Sequence, residues 1–296
     1  IHGEDYPFDS KRRVHTALHQ VHCIQQLAQS LKCVVFTLQG NMNLSGGVLN
    51  LSKHIGTGIS TINGNLTITN GTIAVKGDDG AGTLTVNGAY NQSGGMVYMH
   101  YNNAKVSSAV SRIIVNGDFT HSGGTINFDD NTSNVTETHE LVISGTNYNL
   151  TGNAIMTHAG AGSCTVFGLI KFSRNGITNF NRPASAHSIS QIKQTVTSGT
   201  TLDLVNGNVQ IASFINPGTD FLTVENGATL KLRAGQIYSN GTFANSGITV
   251  QSGGTISTMN LFGFYDGTNF AALKAANAMD FYLSENSTVE YNGWSN

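Results

Sequence analysis

The sequence predicts an all-β chain wound into a right-handed parallel β-solenoid, a β-helix closed at its start by an N-terminal amphipathic α-helical cap. Three observations carry this expectation. The phrase Gly-x-Φ-x-x-[Ser/Thr/Asn]-Gly, Φ being apolar, recurs as GNMNLSGGVLNL from Gly40, GNLTITNGTIAV from Gly64, GAYNQSGGMVYM from Gly88 and GDFTHSGGTINF from Gly117. Its offsets of 24, 24 and 29 residues lie within the span of about 20 to 50 that marks repeat architectures. The 35 Gly, 3 Pro and 11% charged residues describe many tight turns and a surface that is polar but weakly charged.

Residues 1–36 stand apart as an N-terminal extension. Lys11 to Lys32 contains no Gly or Pro, and Val14, Leu18, Val21, Leu27, Ala28 and Leu31 fall mostly at helical spacing. A solenoid exposes the apolar end of its first coil, and a helix laid across that end covers it.

Residues 37–296 form the solenoid. Apolar residues alternate with period two, as in Leu66 and Ile68, Ile73 and Val75, Leu84 and Val86, with Asn-Gly or Ser-Gly-Gly between the runs. These read as short strands joined by tight turns. Equivalent strands of successive coils then pair in parallel about 4.7 to 4.9 Å apart, so roughly ten coils make a rod about 45 to 50 Å long. The right-handed winding follows the preference of parallel crossovers. A related phrase, LTVENGATLKL from Leu222 and ITVQSGGTIST from Ile248, extends the pattern into the second half. Loop insertions are expected near 100–112, 157–194 and 259–281, the last with a short helix at Asn269 to Met279. Insertions in a solenoid become loops on one face.

The phrases VNGDFTHSGGTINF, LTVNGAYNQSGG, LTVENGATLKL and STVEYNG together resemble the repeat regions of large secreted surface proteins and adhesins of Bacteroidota. The likeness covers roughly residues 37 to 293 and implies an Asn-, Thr- and Gly-rich solenoid carried to the cell surface, as cargo of the type IX secretion route is. It implies an extracellular structural or adhesive protein. No C-terminal sorting domain is evident after Tyr291.

Composition narrows the partners. A net charge of -2 without a basic cluster beyond Lys11, Arg12 and Arg13 gives no footprint for nucleic acid. No run of 18 apolar residues exists for a transmembrane helix. A start at Ile1 reads as a processed product or a fragment, and secretion or cell-surface exposure is the expected location. The expected partners are a glycan or surface ligand, or identical subunits in a filament. With three cysteines, Cys23, Cys33 and Cys164, at most one internal pair forms.

Two groups of side chains are candidates for chemistry. His15, His19 and His22 lie three and four residues apart and share a helix face, as zinc or copper ligands would. Locally, HQVHCIQQL resembles the His-x-x-His-Cys motif of fungal oxidative-cyclisation enzymes, but that family carries two copies and this chain one. The capping helix accounts for the segment more simply. The second group is a corner that follows Φ-x-Φ in three consecutive coils: Lys76 with Asp78 and Asp79, then His100 with Tyr101, then Asp129 with Asp130. In register these residues stack coil on coil into a column of carboxylates, an imidazole and a phenol. No cofactor is required; calcium is the ion such a corner would take, and an aromatic beside carboxylates suits a sugar. Asp and Asn are also preferred turn residues.

The chain is read as a non-enzyme. The alternative is a carbohydrate-active β-helix enzyme, a lyase or hydrolase, working at the acidic corner. No Gly-x-Ser-x-Gly, phosphate loop or Cys-x-x-Cys motif supports another chemistry.

Overall fold

The computed structural model describes residues 35–51, 58–76, 81–101, 110–129, 138–158, 168–182, 188–190, 192–211, 219–239, 246–261, 263–264, 272–275 and 279–293. These form a parallel β-solenoid, and every strand pair is parallel, as the repeats require. The expected capping helix, with His15, His19, His22, Cys23 and Cys33, lies outside the described residues.

Each full coil contributes to three faces. A ten-stranded sheet takes one strand per coil, from Val35–Leu38 through Gly58–Ile62 and Gly82–Val86 to Met279–Leu283. A second column runs from Met42–Asn50 through Tyr90–Gln92, Phe119–His121 and Asn147–Leu150 to Thr288–Tyr291. The long strand Leu66–Lys76 rounds a corner, pairing with Tyr90–Gln92 on one side and Met96–His100 on the other. The third column therefore begins with residues 48–50 and 72–76 of the two long strands and continues through Met96–His100, Thr125–Asn127 and Ile155–Thr157 to Ser188–Ser190.

The period-two alternation becomes a continuous core. In the ten-stranded sheet, Leu38, Ile62, Val86, Val115, Ile143, Phe172, Val196, Val224, Val250 and Leu283 occupy one register column. The eight between its two ends are fully or almost fully buried. Burying each such side chain stabilises the fold by roughly 1.5 to 3 kcal/mol. On the second column the aromatic residues of consecutive coils stack: Tyr90 on Phe119 at 4.9 Å, Phe119 on Tyr148 at 5.1 Å, and Tyr148 near Phe180 at 5.1 Å. The buried Tyr90 hydroxyl donates to Gln92 Oε1 at 2.6 Å, which keeps its polar end satisfied.

Two expectations about interruptions change. Within 157–194, Gly168–Phe172, Gly176–Arg182 and Ile192–Val196 continue the ladders, because their alternating Leu, Ile and Phe meet the same columns. Leu273–Ala275, expected within a short helix, is instead a strand paired with Ile237–Ser239. Leu273 packs into the core as Ile237 does one coil earlier. That tertiary contact overrides the local preference of an Ala-rich stretch for helix.

The Ser-Gly-Gly corners explain the recurrent glycines. Gly95 and Gly124 have φ of 69° and 80°. A Cβ on Gly124 would lie 2.5 Å from the Gly95 carbonyl oxygen, and one on Gly95 would lie 2.6 Å from that of Gly71. The corners stack too closely for a side chain. Gly124→Ala is accordingly expected to cost about 1 to 3 kcal/mol from its backbone conformation alone, whereas Gly40→Ala, with nothing within 4 Å of the added carbon, is close to neutral; urea unfolding of both variants checks the contrast.

Candidate functional site

Of the corner column predicted from sequence, Lys76, His100 and Asp129 share one level and face inward. Lys76 pairs with His100 across the ladder, and Tyr98 pairs with Asn127, which sets Asp129 two residues on at the level of His100. Lys76, His100 and Asp129 are 0%, 2% and 1% exposed. Tyr101 is 44% exposed and lies against Tyr98 on the outer wall, ring centroids 4.8 Å apart. The phenol and the carboxylate therefore occupy opposite sides of the wall and form no joint sugar site. Asp78, Asp79 and Asp130 lie outside the described residues.

Two histidines not singled out from the sequence complete the cluster. His139 stands one residue before Glu140–Ile143, and His158 one residue after Ile155–Thr157; both are buried. His139 is held by a staircase of backbone donors: Gly82 N–H donates to Ser111 Oγ at 3.3 Å, and Ser111 N–H donates to His139 Nδ1 at 3.0 Å. Because a backbone amide can only donate, His139 Nδ1 is an acceptor and the ring proton sits on Nε2. That nitrogen lies 3.5 Å from Asp129 Oδ2. His100 Nδ1 lies 3.1 Å from Asp129 Oδ1 and donates to it. One carboxylate is thus bracketed by two imidazole N–H groups, whose rings tilt together at 5.7 Å.

Burial governs the protonation of this cluster. It lowers the His139 pKa; Asp129 opposes this by hydrogen bonding and by charge, while the Lys76 and His100 charges add to the lowering. Burial pushes His158 down to about 4, against the pull of Asp129. Both ring nitrogens of His158 are buried and find no hydrogen-bond partner among the described residues.

The donor atoms of His100, Asp129 and His139 lie within 4.8 Å of one another. Two imidazoles and a carboxylate match zinc and its neighbours, not calcium, which takes six to eight oxygens. The protonation pattern works against a ligand set. A metal at His139 Nε2 needs the lone pair that the Ser111 amide has forced to carry a proton. The hydrogen bond at the centre of this cluster is the one between His100 and Asp129, and His139 Nε2 stands beside the same carboxylate.

A second buried polar group lies further along. Arg182, 3% exposed, donates to the Asn208 carbonyl at 3.1 Å, to Gln210 Oε1 and to the Tyr238 hydroxyl at 3.0 Å. Its guanidinium also lies 5.3 Å from the Tyr238 ring centroid. On the outer wall, Glu140 accepts from Arg112 and Lys171, each at 2.6 Å. Burial alone would raise its pKa, but the two cations hold it below the usual carboxylate range.

No family model, curated protein or solved structure matches this chain. The fold and the cluster define a β-solenoid with a charged lock in its core.

Two outcomes follow. The depressed histidine pKa values mean that between about 4 and the unfolded value of about 6.5 the unfolded chain binds more protons. Stability is full above this window and is lost as pH falls through it. Thermal unfolding should show Tm declining from pH 7 to 4, with a shallower decline in His158→Leu. Asp129→Ala removes the acceptor beside the buried His100 and His139 ring N–H groups and should cost about 1 to 3 kcal/mol for each donor left unsatisfied, whereas a chelator should leave the melting curve unchanged.

Proposed function

We propose that this protein is an extracellular structural and adhesive rod, held on or near a cell surface and displaying polar ladders and loops to a glycan or surface ligand. The observation that favours it is the distribution of side chains between the two sides of the wall. Two groups of the acidic corner, His100 and Asp129, are shut inside the coil together with His139. The outer wall instead carries stacked amides: Asn63 Nδ2 donates to Gln39, Asn87 Nδ2 to Asn63 and Asn116 Nδ2 to Asn87, at 2.7 to 2.8 Å.

Such ladders stiffen a rod and present a repeating array of hydrogen-bonding groups. Among the described residues no helix is long and apolar enough to cross a membrane, so this reading attaches the rod by another means. The right-handed winding, expected from the preference of parallel crossovers, and the N-terminal cap, expected from the helical spacing of residues 11–32, belong to the same reading; the route to the surface rests on the resemblance to Bacteroidota surface repeats. Tyr98 and Tyr101 supply an outward aromatic pair against which a sugar ring stacks.

A panel of immobilised polysaccharides tests the display function. Retention of the intact chain should fall about tenfold or more in the Tyr98→Ala, Tyr101→Ala double variant. Retention of no glycan, together with protease resistance of the protein on intact source cells, would overturn the reading.

A further inference from the structure

We propose that Asn70 is a site of self-modification, at which the Gly71 backbone nitrogen closes on the Asn70 side-chain amide and converts it, with loss of ammonia, to an aspartyl or isoaspartyl residue. The chain carries nine Asn-Gly pairs. In this dipeptide the closure meets least resistance, because glycine puts no side chain beside the attacking nitrogen. The structure separates Asn70 from four others of the same local sequence.

The difference lies in where each glycine N–H goes. Gly64, Gly88, Gly176 and Gly227 follow Asn63, Asn87, Asn175 and Asn226, and their N–H groups donate to the carbonyls of Gly40, Gly64, Gly199 and Gly253, one coil away, at 3.0 to 3.2 Å. The Asn63 and Asn87 amides are themselves tied into the outer ladder, accepting from Asn87 and Asn116 Nδ2 at 2.7 Å. Gly71 N–H instead donates to Asn70 Oδ1 at 2.8 Å. A carbonyl carbon lies about 1.2 Å from its oxygen, so Asn70 Cγ is held within about 4 Å of the nitrogen that must reach it. That is a short step from the separation of about 3 to 3.5 Å at which reacting atoms are poised.

The corner explains the exception. Strand Leu66–Lys76 pairs with the next coil as far as Ile68 with Gln92 and again from Thr72 with Met96, so Asn70 and Gly71 fall in the gap between the two ladders. The other corners at this level read Ser-Gly-Gly at 45–47, 93–95 and 122–124. Gly46 and Gly94 stand where this coil has Asn70: a Cβ on Gly71 would meet Gly46 at 2.8 Å, one on Gly95 would meet Asn70 at 2.9 Å, and one on Gly124 would meet Gly94 at 2.6 Å. Among these four corners only this one sets a side-chain amide beside its own glycine nitrogen. Asn70 is exposed, so water reaches it.

The reaction balances without an oxidant or a cofactor. Hydroxide removes the Gly71 N–H proton, and the nitrogen forms a bond to Asn70 Cγ. The Cγ–Nδ2 bond then breaks, Nδ2 taking a proton from water and leaving as ammonia, which regenerates hydroxide. The product is a five-membered imide. Water adds at either imide carbonyl, breaks that carbon's bond to nitrogen and returns a proton to Gly71 N. Opening at Cγ leaves an aspartyl residue; opening at the main-chain carbon leaves an isoaspartyl one. Either product places a negative charge on the outer wall where the neighbouring corners carry no side chain.

The test is incubation of the intact folded chain at mildly alkaline pH, followed by peptide mass spectrometry with fragmentation to read each Asn. Asn70 should gain the mass of an amide-to-acid change about tenfold or more faster than Asn63, Asn87, Asn175 and Asn226, and the product should include isoaspartate. In urea, where the corner is lost, that gap should close. Asn70→Gln, whose amide carbon lies one methylene further out, should remove the fast site and leave the other four unchanged. A rate at Asn70 no higher than at the other four in the folded chain would overturn the proposal, as would the same ordering in urea. So would a purely aspartyl product, which direct hydrolysis gives.

Discussion

The structure depends on one hydrogen bond made again at each coil. The N–H that follows a strand of the ten-stranded sheet donates to the last carbonyl of the strand one coil earlier: Asn63 to Leu38, Asn87 to Ile62, Asn116 to Val86, Ser144 to Val115 and Ser173 to Ile143, at 2.8 to 2.9 Å. This bond fixes the coil length, because only a residue one full turn onward reaches that carbonyl. It also places the side chains of those donors directly above one another. Asn63, Asn87 and Asn116 then bond through their amides, and Ser144 and Ser173 through hydroxyls 3.0 Å apart. Backbone and side chain enforce the same register.

With the register fixed, the interior follows. Residues alternate across a strand, so an apolar residue at one level implies an apolar residue at the same level above and below. Tyr90, Phe119 and Tyr148 are consistent with one another in this way, and each stacks only because its neighbour is aromatic too. Stability in such an array is approximately a sum of coil terms and nearest-neighbour terms. The cluster around Asp129 departs from this scheme, since it joins residues that are chemically different in every coil.

Much of the fold was legible because repetition amplifies a weak signal: four copies of a glycine phrase gave the coil length and the strand positions. The level shared by Lys76, His100 and Asp129 was legible for the same reason. Their inward direction was not. Alternation from Ile73 and Val75 puts Lys76 outside, yet Ala74, Val75 and Lys76 are all buried where the chain rounds the corner. A corner turns both faces of the strand toward neighbouring chain, and period two ceases to report direction. His139 was illegible for another reason. Its register partner is Ser111, and nothing in the repeat phrase marks the Ser111 amide as a donor to a side chain. The Leu273–Ala275 strand was missed because its support is tertiary: pairing with Ile237–Ser239, the Phe264 carbonyl that accepts from Leu273 N–H, and burial of the Leu273 side chain in the core.

Repetition also creates a problem that the buried polar groups address. Apolar columns of Val, Ile and Leu are nearly alike from coil to coil, so a chain that skipped one coil during folding would still bury most of its apolar surface. Polar contacts between particular coils remove that degeneracy. A slip by one coil at Asp129 would separate it from His100 and His139 and leave a carboxylate in the core, at a cost of several kcal/mol. Arg182 acts similarly across the next coils, since Gln210 and Tyr238 accept from it only when coil order is kept. The apolar columns supply the driving force for stacking, and the buried cluster and the buried guanidinium fix which coil lies on which.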